Sequence, residues 1–112
     1  MASNLAKRDC EPCRGGAEPL RGEALARLAR ELDGGWRTVD EHHIEKEYKL
    51  AGWREAVNFT NRIARIADEQ DHHPDIHLSY GKVRIEIWSH KIDGLTENDF
   101  VLAAKADEAF DG

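Results

Sequence analysis

The sequence of 112 residues lacks the features of a membrane, secreted or nucleic-acid-binding protein. No apolar run approaches the roughly 20 residues that span a bilayer, and the first residues include no apolar stretch of signal-peptide length. Lys and Arg number 16 against 22 Asp and Glu, a formal net charge of −6, which disfavours binding to nucleic acid or to anionic membranes. We therefore expect a soluble, cytoplasmic protein.

Cysteine is scarce, and the two that occur, Cys10 and Cys13, lie in a segment rich in proline and glycine. A thioredoxin-like Cys-x-x-Cys motif would follow a strand and open a helix, and no strand is predicted before this one. A zinc site would need two further ligands, which no second Cys-x-x-Cys supplies. The residues favour a thiol pair in a loosely ordered arm, and the role of the pair stays open.

Residues 1–20 show little periodicity, so we interpret them as an irregular N-terminal leader. Residues 21–112 suffice for a single domain with one hydrophobic core. Within this domain, apolar residues at three- and four-residue steps predict helices over 22–32, over 53–70 and from Thr96 onward. Alternating residues predict strands, paired as two hairpins, at 36–39, 42–50, 75–80 and 83–90.

The predicted order is helix, two strands, helix, two strands, helix. It indicates an α+β two-layer sandwich, a four-stranded antiparallel sheet with three helices on one face. Val83, Ile85 and Ile87 belong to the buried side of the last strand, so Trp88 and His90 fall on the face that the helices leave uncovered. Because such a face favours association, we expect a homodimer or homotetramer.

The long middle helix has a wide apolar stripe whose margin carries Phe59 and Ile66, and whose centre contains Trp53, Ala56, Val57, Thr60, Ile63, Ala64 and Ala67. Pro74 disfavours helical geometry at the residue before it, so the helix should end with His72 and His73 on its shoulder. In the last helix, Thr96 is a good N-cap and Asp99 is spaced for a capping box.

Four of the six histidines fall between Asp68 and Asp99. Imidazole gives and takes protons near neutral pH, so this cluster indicates proton transfer or metal binding. The other pair, His42 and His43, is predicted on a strand, where neighbours point to opposite faces. We therefore expect His42 and His43 not to converge on one ligand and to have no functional role.

Each residue of the cluster also has a purely structural interpretation. His73 can simply close a helix, Asp99 can cap one, and Asp68 can be solvated helix surface. The chemical alternative to proton transfer is a zinc site with His72, His73 and His90 as ligands, although adjacent histidines at a helix end are awkward ligands for one ion. The joint spacing of these residues favours a shared chemical role.

That spacing resembles the pterin-4a-carbinolamine dehydratase family. The residues that carry the resemblance are Asp68, His72-His73-Pro74, Tyr80, His90 and Asp99. Flanking segments agree as well, namely Gly35-Trp36, Asn58-Phe59, Tyr80-Gly81-Lys82-Val83 and Gly94-Leu95-Thr96. The resemblance covers residues 20–108 and implies the same order of helices and strands.

The resemblance implies a hydro-lyase that dehydrates 4a-hydroxytetrahydrobiopterin to quinonoid dihydropterin, recycling the pterin of aromatic amino-acid hydroxylases. The pterin is the substrate, and no metal or other cofactor is implied. His72 and His90 would be the acid–base pair, His73 an assisting group and Asp99 an orienting carboxylate. Which histidine is the acid stays open. The residues expected to bind substrate are Asp68, His73, Pro74, Tyr80 and Trp88.

The resemblance also leaves a non-enzymatic alternative open. Animal members of the family serve as dimerisation cofactors of a homeodomain transcription factor, so a protein-binding module is the second interpretation. The complete set of motif residues favours the enzyme. An aromatic amino-acid hydroxylase of the same pathway is the protein partner that the resemblance suggests.

Overall fold

The structure is a computed structural model and describes residues 4–11, 18–32 and 34–111. The described residues form helices α1 (Gly22–Arg30), α2 (Trp53–Gln70) and α3 (Glu97–Asp111), and strands β1 (Arg37–Val39), β2 (His43–Lys49), β3 (Asp75–Ser79) and β4 (Lys82–Ile87). A 3-10 helix, Asn4–Lys7, precedes them. Their order confirms the predicted α+β fold class. None of these helices is both long and apolar enough to cross a bilayer.

The four strands form one antiparallel sheet in the order β1-β2-β4-β3. Ile44 lies opposite Ile87, and Tyr48 lies opposite Val83, in the central pair β2 and β4. These four side chains are buried, because opposite residues of paired strands share a face and this face meets the helices. The two predicted hairpins are thereby joined through their second strands.

Helices α2 and α3 pack across this face and fill the core. Phe59 is fully buried, with its ring centroid 4.7 Å from that of Tyr48 and 5.3 Å from that of Phe110. Trp53, in contrast, is 48% exposed, and Ala64 is exposed as well. The apolar stripe predicted for α2 was therefore wrongly centred. The buried face of the helix is centred nearer to Phe59, whose ring packs between Tyr48 and Phe110.

A buried carboxylate joins the first hairpin to α3. Asp107 Oδ1 accepts hydrogen bonds from the Tyr48 hydroxyl at 2.6 Å and from Lys46 Nζ at 2.8 Å, and Oδ2 accepts one from Trp36 Nε1 at 2.9 Å. The Lys46 ammonium also lies 4.8 Å from the Tyr48 ring centroid. Since all three donors point at one carboxylate, the polar residues on this inner face are satisfied.

The opposite face of the sheet carries a network of charged side chains. Arg37 and Arg84 both contact Glu45, and Arg84 also reaches Glu86 at 2.5 Å. The hydrogen bond from Arg37 lowers the pKa of Glu45 below its usual value. The last strand was predicted to run to residue 90 but ends at Ile87, so Trp88, half-buried, and His90, exposed, lie beyond the end of β4.

The described part of the leader packs more closely than the sequence alone suggests. Leu5 is 1% exposed and belongs to the hydrophobic core, and Lys105 Nζ donates to the Ala6 carbonyl at 2.8 Å. Further along, Pro19 lies against Gly94 so closely that a Cβ on residue 94 would fall 2.6 Å from a Pro19 carbon. The leader is thus fixed to α3 and to the loop that precedes it.

Candidate active site

The end of α2 determines where His72 lies. Asp71 adopts the left-handed conformation with φ of 51°, and the His72 N–H donates to the Ala67 carbonyl at 3.1 Å. This ending turns the chain back beneath the last turn of the helix, in the manner of a Schellman-type cap. His72 is consequently buried, with 8% exposure, whereas Pro74 then leads the chain into β3.

The start of α3 positions the partner of His72. Asp99 is completely buried, and its Oδ1 lies 2.6 Å from His72 Nε2. Its Oδ2 accepts hydrogen bonds from the Thr96 N–H at 2.8 Å and from the Ser89 hydroxyl at 2.9 Å. The predicted bond from Asp99 back to the N-cap is therefore confirmed. The Thr96 hydroxyl, however, pairs with Ser89 Oγ at 2.9 Å.

This pairing fixes the tautomer of His72. A carboxylate only accepts hydrogen bonds, so the Nε2 of His72 carries the proton that faces Asp99. The other nitrogen, Nδ1, is then an acceptor in the neutral ring and a donor in the imidazolium. A buried carboxylate behind the ring also stabilises the cation when Nδ1 takes a proton, as in the acid–base pairs of hydrolases.

A cavity of about 490 Å³ opens beside this pair. Four of its lining residues belong to the set predicted from the sequence, namely His72, His73, Trp88 and His90. The remaining lining residues are Cys10, Glu11, Glu69, Gln70, Asp71 and Lys91. The structure thus brings the histidines of two separate segments to one cavity, which is the meeting that proton-transfer chemistry requires.

Trp88 and His90 form the aromatic side of the cavity. Their ring centroids lie 4.5 Å apart, with an angle of 54° between the rings. The imidazole of His90 is exposed to solvent, whereas Trp88 is half-buried. An aromatic side chain in a pocket that also carries polar groups is typical of sites for flat heterocyclic ligands.

The expectation that His42 and His43 point apart was wrong. Their Nδ1 atoms lie 3.1 Å from one another, and the ring of each also contacts Trp88, with centroids 5.4 and 5.9 Å away. The alternation of a strand does not apply here, because β2 begins only at His43. His42 belongs to the preceding turn, in which Asp40 and Glu41 have positive φ. Neither ring is among those that line the cavity.

Other residues predicted to bind substrate occupy less central positions. His73 lines the cavity but is more than half exposed, and its Nε2 lies 3.1 Å from Asp68 Oδ1. Pro74 follows it and is half-buried, immediately before β3. Tyr80 is 75% exposed in the β3–β4 turn, with its hydroxyl near Gly52, and the structure does not bring it to the cavity. Substrate binding by Asp68, Pro74 and Tyr80 stays a prediction.

Sequence reasoning missed the contribution of the leader to the cavity. Cys10 and Glu11 line it, together with Gln70 at the end of α2, although no local pattern marks these residues. Their place in the cavity follows only from contacts between residues that are far apart in the sequence. The second cysteine, Cys13, lies outside the described residues, so its pairing with Cys10 stays untested.

Within the described ranges, no three histidine, cysteine, aspartate or glutamate side chains are arranged to hold a metal ion. In particular, His73 turns to Asp68 and His72 turns to Asp99, so the adjacent histidines each face a different carboxylate. The arrangement of these donors matches acid–base chemistry better than a shared ligand set.

The fold and the site together define an α+β protein with a histidine–carboxylate pocket suited to proton transfer. Comparison with known families then places the chain. Residues 18–109 match the profile of the family described as "Pterin 4 alpha carbinolamine dehydratase". The chain belongs to this family.

Similar proteins agree with that assignment. A protein of Rubrobacter xylanophilus is 53% identical over 105 residues, covering 94% of this chain and 97% of its own length. One from Alkaliphilus metalliredigens is 44% identical over 106 residues, covering 95% of this chain and 96% of its own. Both carry the provisional name pterin-4-alpha-carbinolamine dehydratase.

A solved structure is similar as well. The crystal structure of a transcriptional coactivator/pterin dehydratase from Brucella melitensis superposes with a TM-score of 0.77 at 29% identity. The match covers 82% of this chain and 98% of that one.

Proposed function

We propose that this chain is a hydro-lyase that removes water from 4a-hydroxytetrahydrobiopterin and releases quinonoid dihydropterin. The observation that carries the proposal is the meeting of His72 and His90 at one cavity, with Asp99 bonded behind His72. Membership of the dehydratase family supplies the substrate class.

The reaction needs one acid and one base. The N5 lone pair of the pterin forms a C4a–N5 double bond as the C4a–oxygen bond breaks. The departing hydroxyl takes a proton and leaves as water, and the N5–H proton goes to a base. General acid–base catalysis of such steps typically contributes 10²–10⁴-fold.

His72 is the proposed base. Its Nε2–H is committed to Asp99, so the neutral ring offers the lone pair of Nδ1 to a proton of the substrate. The cation formed by that transfer is stabilised by the fully buried carboxylate of Asp99. His72 therefore collects the N5 proton at low cost.

His90 is the proposed acid. It is exposed and lies beside Trp88, so it regains a proton from water after each turnover. The indole of Trp88 offers an aromatic surface against which the flat pterin ring packs. The proposed step requires no cofactor, because the N5 lone pair of the substrate supplies the electrons that expel the hydroxyl.

An assay with a freshly generated substrate tests the proposal. An aromatic amino-acid hydroxylase supplies 4a-hydroxytetrahydrobiopterin, and absorbance follows the appearance of quinonoid dihydropterin. We expect the protein to accelerate dehydration well above the spontaneous rate at catalytic concentrations. A rate that stays at the spontaneous value would refute the proposed activity. In the cell, such an enzyme would act downstream of a hydroxylase of this kind.

The similarity to the Brucella protein, which is described as a transcriptional coactivator as well as a pterin dehydratase, supports a second candidate function. A coactivator role would need a protein-binding surface rather than an acid–base pair. A His72→Ala variant separates the two roles. If that variant still complements a strain lacking the gene, the binding role is favoured, whereas loss of complementation favours the enzyme.

We also propose that a second copy of the chain covers the network of charged side chains on the face of the sheet opposite the helices. Glu45 and Glu86 have side-chain exposures of only 12% and 20%, although the helices in the described part of the chain pack on the other face of the sheet. Analytical ultracentrifugation tests the association, and Arg84→Glu should weaken it because it places like charges together. A wild-type protein that sediments as a monomer at micromolar concentration would exclude it.

A further inference from the structure

The N-terminal segment Arg8–Glu11 forms part of the wall of the candidate active site. Cys10 and Glu11 both line the cavity beside His72. The match to the family profile begins only at residue 18, so this part of the wall lies outside the matched range. The cavity is therefore partly built from residues that the family pattern does not cover.

Two amide side chains hold this segment in place. The Cys10 N–H donates to Gln70 Oε1 at 2.6 Å, and Gln70 Nε2 donates to Asp9 Oδ1 at 3.1 Å. The Glu11 N–H donates to Asn98 Oδ1 at 2.9 Å, while Asn98 Nδ2 donates back to the Glu11 carbonyl at 2.5 Å. Both hydrogen-bonding groups of the Glu11 backbone are thus fixed by one side chain.

The anchors lie at the same helix ends as His72 and Asp99. Gln70 is the last residue of α2, just before His72, and Asn98 stands next to Asp99 at the start of α3. The segment therefore spans the two helix ends that the hydrogen bond between His72 and Asp99 also joins. The hydrogen bonds from Gln70 and Asn98 therefore set the position of the segment relative to His72 and Asp99.

Glu11 is the residue through which the segment can recognise a ligand. Its backbone is held by Asn98, and Glu11 is an exposed residue that lines the cavity. The pterin ring carries two adjacent donors, N3–H and the 2-amino group, which match the two oxygens of a carboxylate. Glu69 and Asp71 also line the cavity, but they extend from the end of α2 rather than from a separate anchored segment.

We propose that Glu11, held in place by Asn98, is a specificity-determining residue that accepts the amino edge of the pterin ring. This inference rests on the proposed function, because it assumes a pterin in the cavity. Glu11 acts in recognition and not in proton transfer, so its loss affects the affinity and the choice of ligand more than the rate of the bound complex.

Fluorescence titration with pterin and lumazine tests the inference directly. Lumazine carries an oxo group in place of the 2-amino group, so a carboxylate that accepts from the amino edge should reject it. We expect the wild type to prefer pterin by at least about tenfold, the value of one charge-assisted hydrogen bond. Glu11→Gln should reduce the preference to about threefold or less, since an amide can donate to the oxo group.

Three further variants separate recognition from general damage. Asn98→Ala keeps the Glu11 carboxylate but releases its backbone, so it should lower the preference as well and raise the KM for the hydroxylated pterin with a smaller change in kcat. Asn98→Asp retains the acceptor for the Glu11 N–H and should restore part of the preference. Glu108→Gln, an exposed change on α3 outside the cavity, should leave both quantities unchanged.

Failure of this inference is distinguishable from failure of the proposed function. If the wild type is an active dehydratase and Glu11→Gln keeps the full preference for pterin, only the role of Glu11 is overturned. The same holds if Glu69→Gln, and not Glu11→Gln, abolishes the preference. If the wild type binds neither compound and shows no dehydration, both proposals are overturned.

Discussion

The carboxylate of Asp99 and the imidazole of His72 form a buried pair, with Oδ1 and Nε2 separated by 2.6 Å. Asp99 has no exposed surface, and its oxygens accept from three donors, His72 in the loop after α2 and Ser89 and Thr96 in the loop between β4 and α3. A charge withdrawn from water in this way is stabilised by each of those donors. The pair therefore couples the orientation of the histidine to the packing of the helix ends.

Asp99→Asn should lower the dehydration rate at least tenfold with the fold intact. The amide retains one acceptor for Thr96 and Ser89 but turns its NH₂ toward His72, which forces the proton of that ring onto Nδ1. Nδ1 then no longer accepts a proton, as when a buried carboxylate is replaced in a catalytic triad. Steady-state kinetics and ¹⁵N shifts of His72 would check both effects.

Ser89→Ala is the matched control for that substitution. It removes one hydrogen bond to Oδ2 of Asp99 but leaves the bond to His72. We expect a loss of about 1 kcal/mol in the free energy of unfolding with the rate within threefold of wild type. Equal rates for Asp99→Asn and wild type would contradict the positioning role of Asp99.

His72→Ala and His90→Ala should each reduce the dehydration rate at least tenfold, because each removes one of the two proton-transfer groups. His90 is exposed, so its replacement should leave the free energy of unfolding nearly unchanged. Rates near wild type in both single variants would refute the assignment. Stopped-flow absorbance and circular dichroism give the two readouts.

His42→Ala and His43→Ala serve as histidine controls for that experiment. Both rings contact Trp88 from outside the cavity and neither lines it. We expect rates within about threefold of wild type, since only the packing of the indole is disturbed. A tenfold loss would show that the indole position depends on this pair.

Asp107→Ala should destabilise the fold by about 3 kcal/mol without a direct effect on the reaction. The substitution leaves the donors of Trp36, Lys46 and Tyr48 without their shared acceptor, and one of these is a partly buried ammonium. Urea unfolding followed by tryptophan fluorescence measures the loss. The neighbouring exposed Glu108→Ala should change stability by no more than about 0.5 kcal/mol.

Glu45 should make the fold sensitive to acid. The folded-state pKa of its carboxyl is lowered by the hydrogen bond from Arg37, so the folded protein holds this proton less tightly than the unfolded chain does. Its stabilising contribution is complete above the unfolded pKa of about 4.3 and is lost as the pH falls through the folded value. The difference in the free energy of unfolding between wild type and Glu45→Gln, measured by urea unfolding, should therefore be largest near pH 7 and shrink as the pH falls below the unfolded pKa.

The protein should work without a bound metal ion. His72 and His73 each bond to a different carboxylate, which leaves no common position for an ion between them. We expect elemental analysis of the active protein to find no transition metal at stoichiometric level and a chelator to leave the dehydration rate unchanged. Loss of activity on chelation, restored by zinc, would favour the metalloenzyme alternative.

The fold followed from the sequence because its signals are local. Alternation marks β4, where Val83, Ile85 and Ile87 are all buried as predicted, and the Pro74 position ends α2 near its observed end at Gln70. The rotation of α2 was not predictable, because the apolar residues cover a face wide enough to permit several orientations. Which of them is adopted depends on the aromatic partners of Phe59 in β2 and α3.

The residues of the candidate site likewise divide into those that a sequence pattern marks and those that it does not. His72, His90 and Asp99 could be singled out because their spacing repeats a known family pattern. The contact of His42 with His43 depends on the positive φ of Asp40 and Glu41, which no regular alternation indicates. Gln70 and Glu11 come together only in the folded chain, so no sequence window contains their relationship.

The burial of Leu5 has a practical consequence for anyone who trims the protein by homology. A shortened chain starting at residue 18, where the family match begins, would lose a side chain that is 1% exposed in the core. Burial of one leucine contributes about 1.5–3 kcal/mol, a large share of the net stability of a small domain. A chain trimmed to the range that the family profile matches should therefore unfold at a lower urea concentration than the full chain.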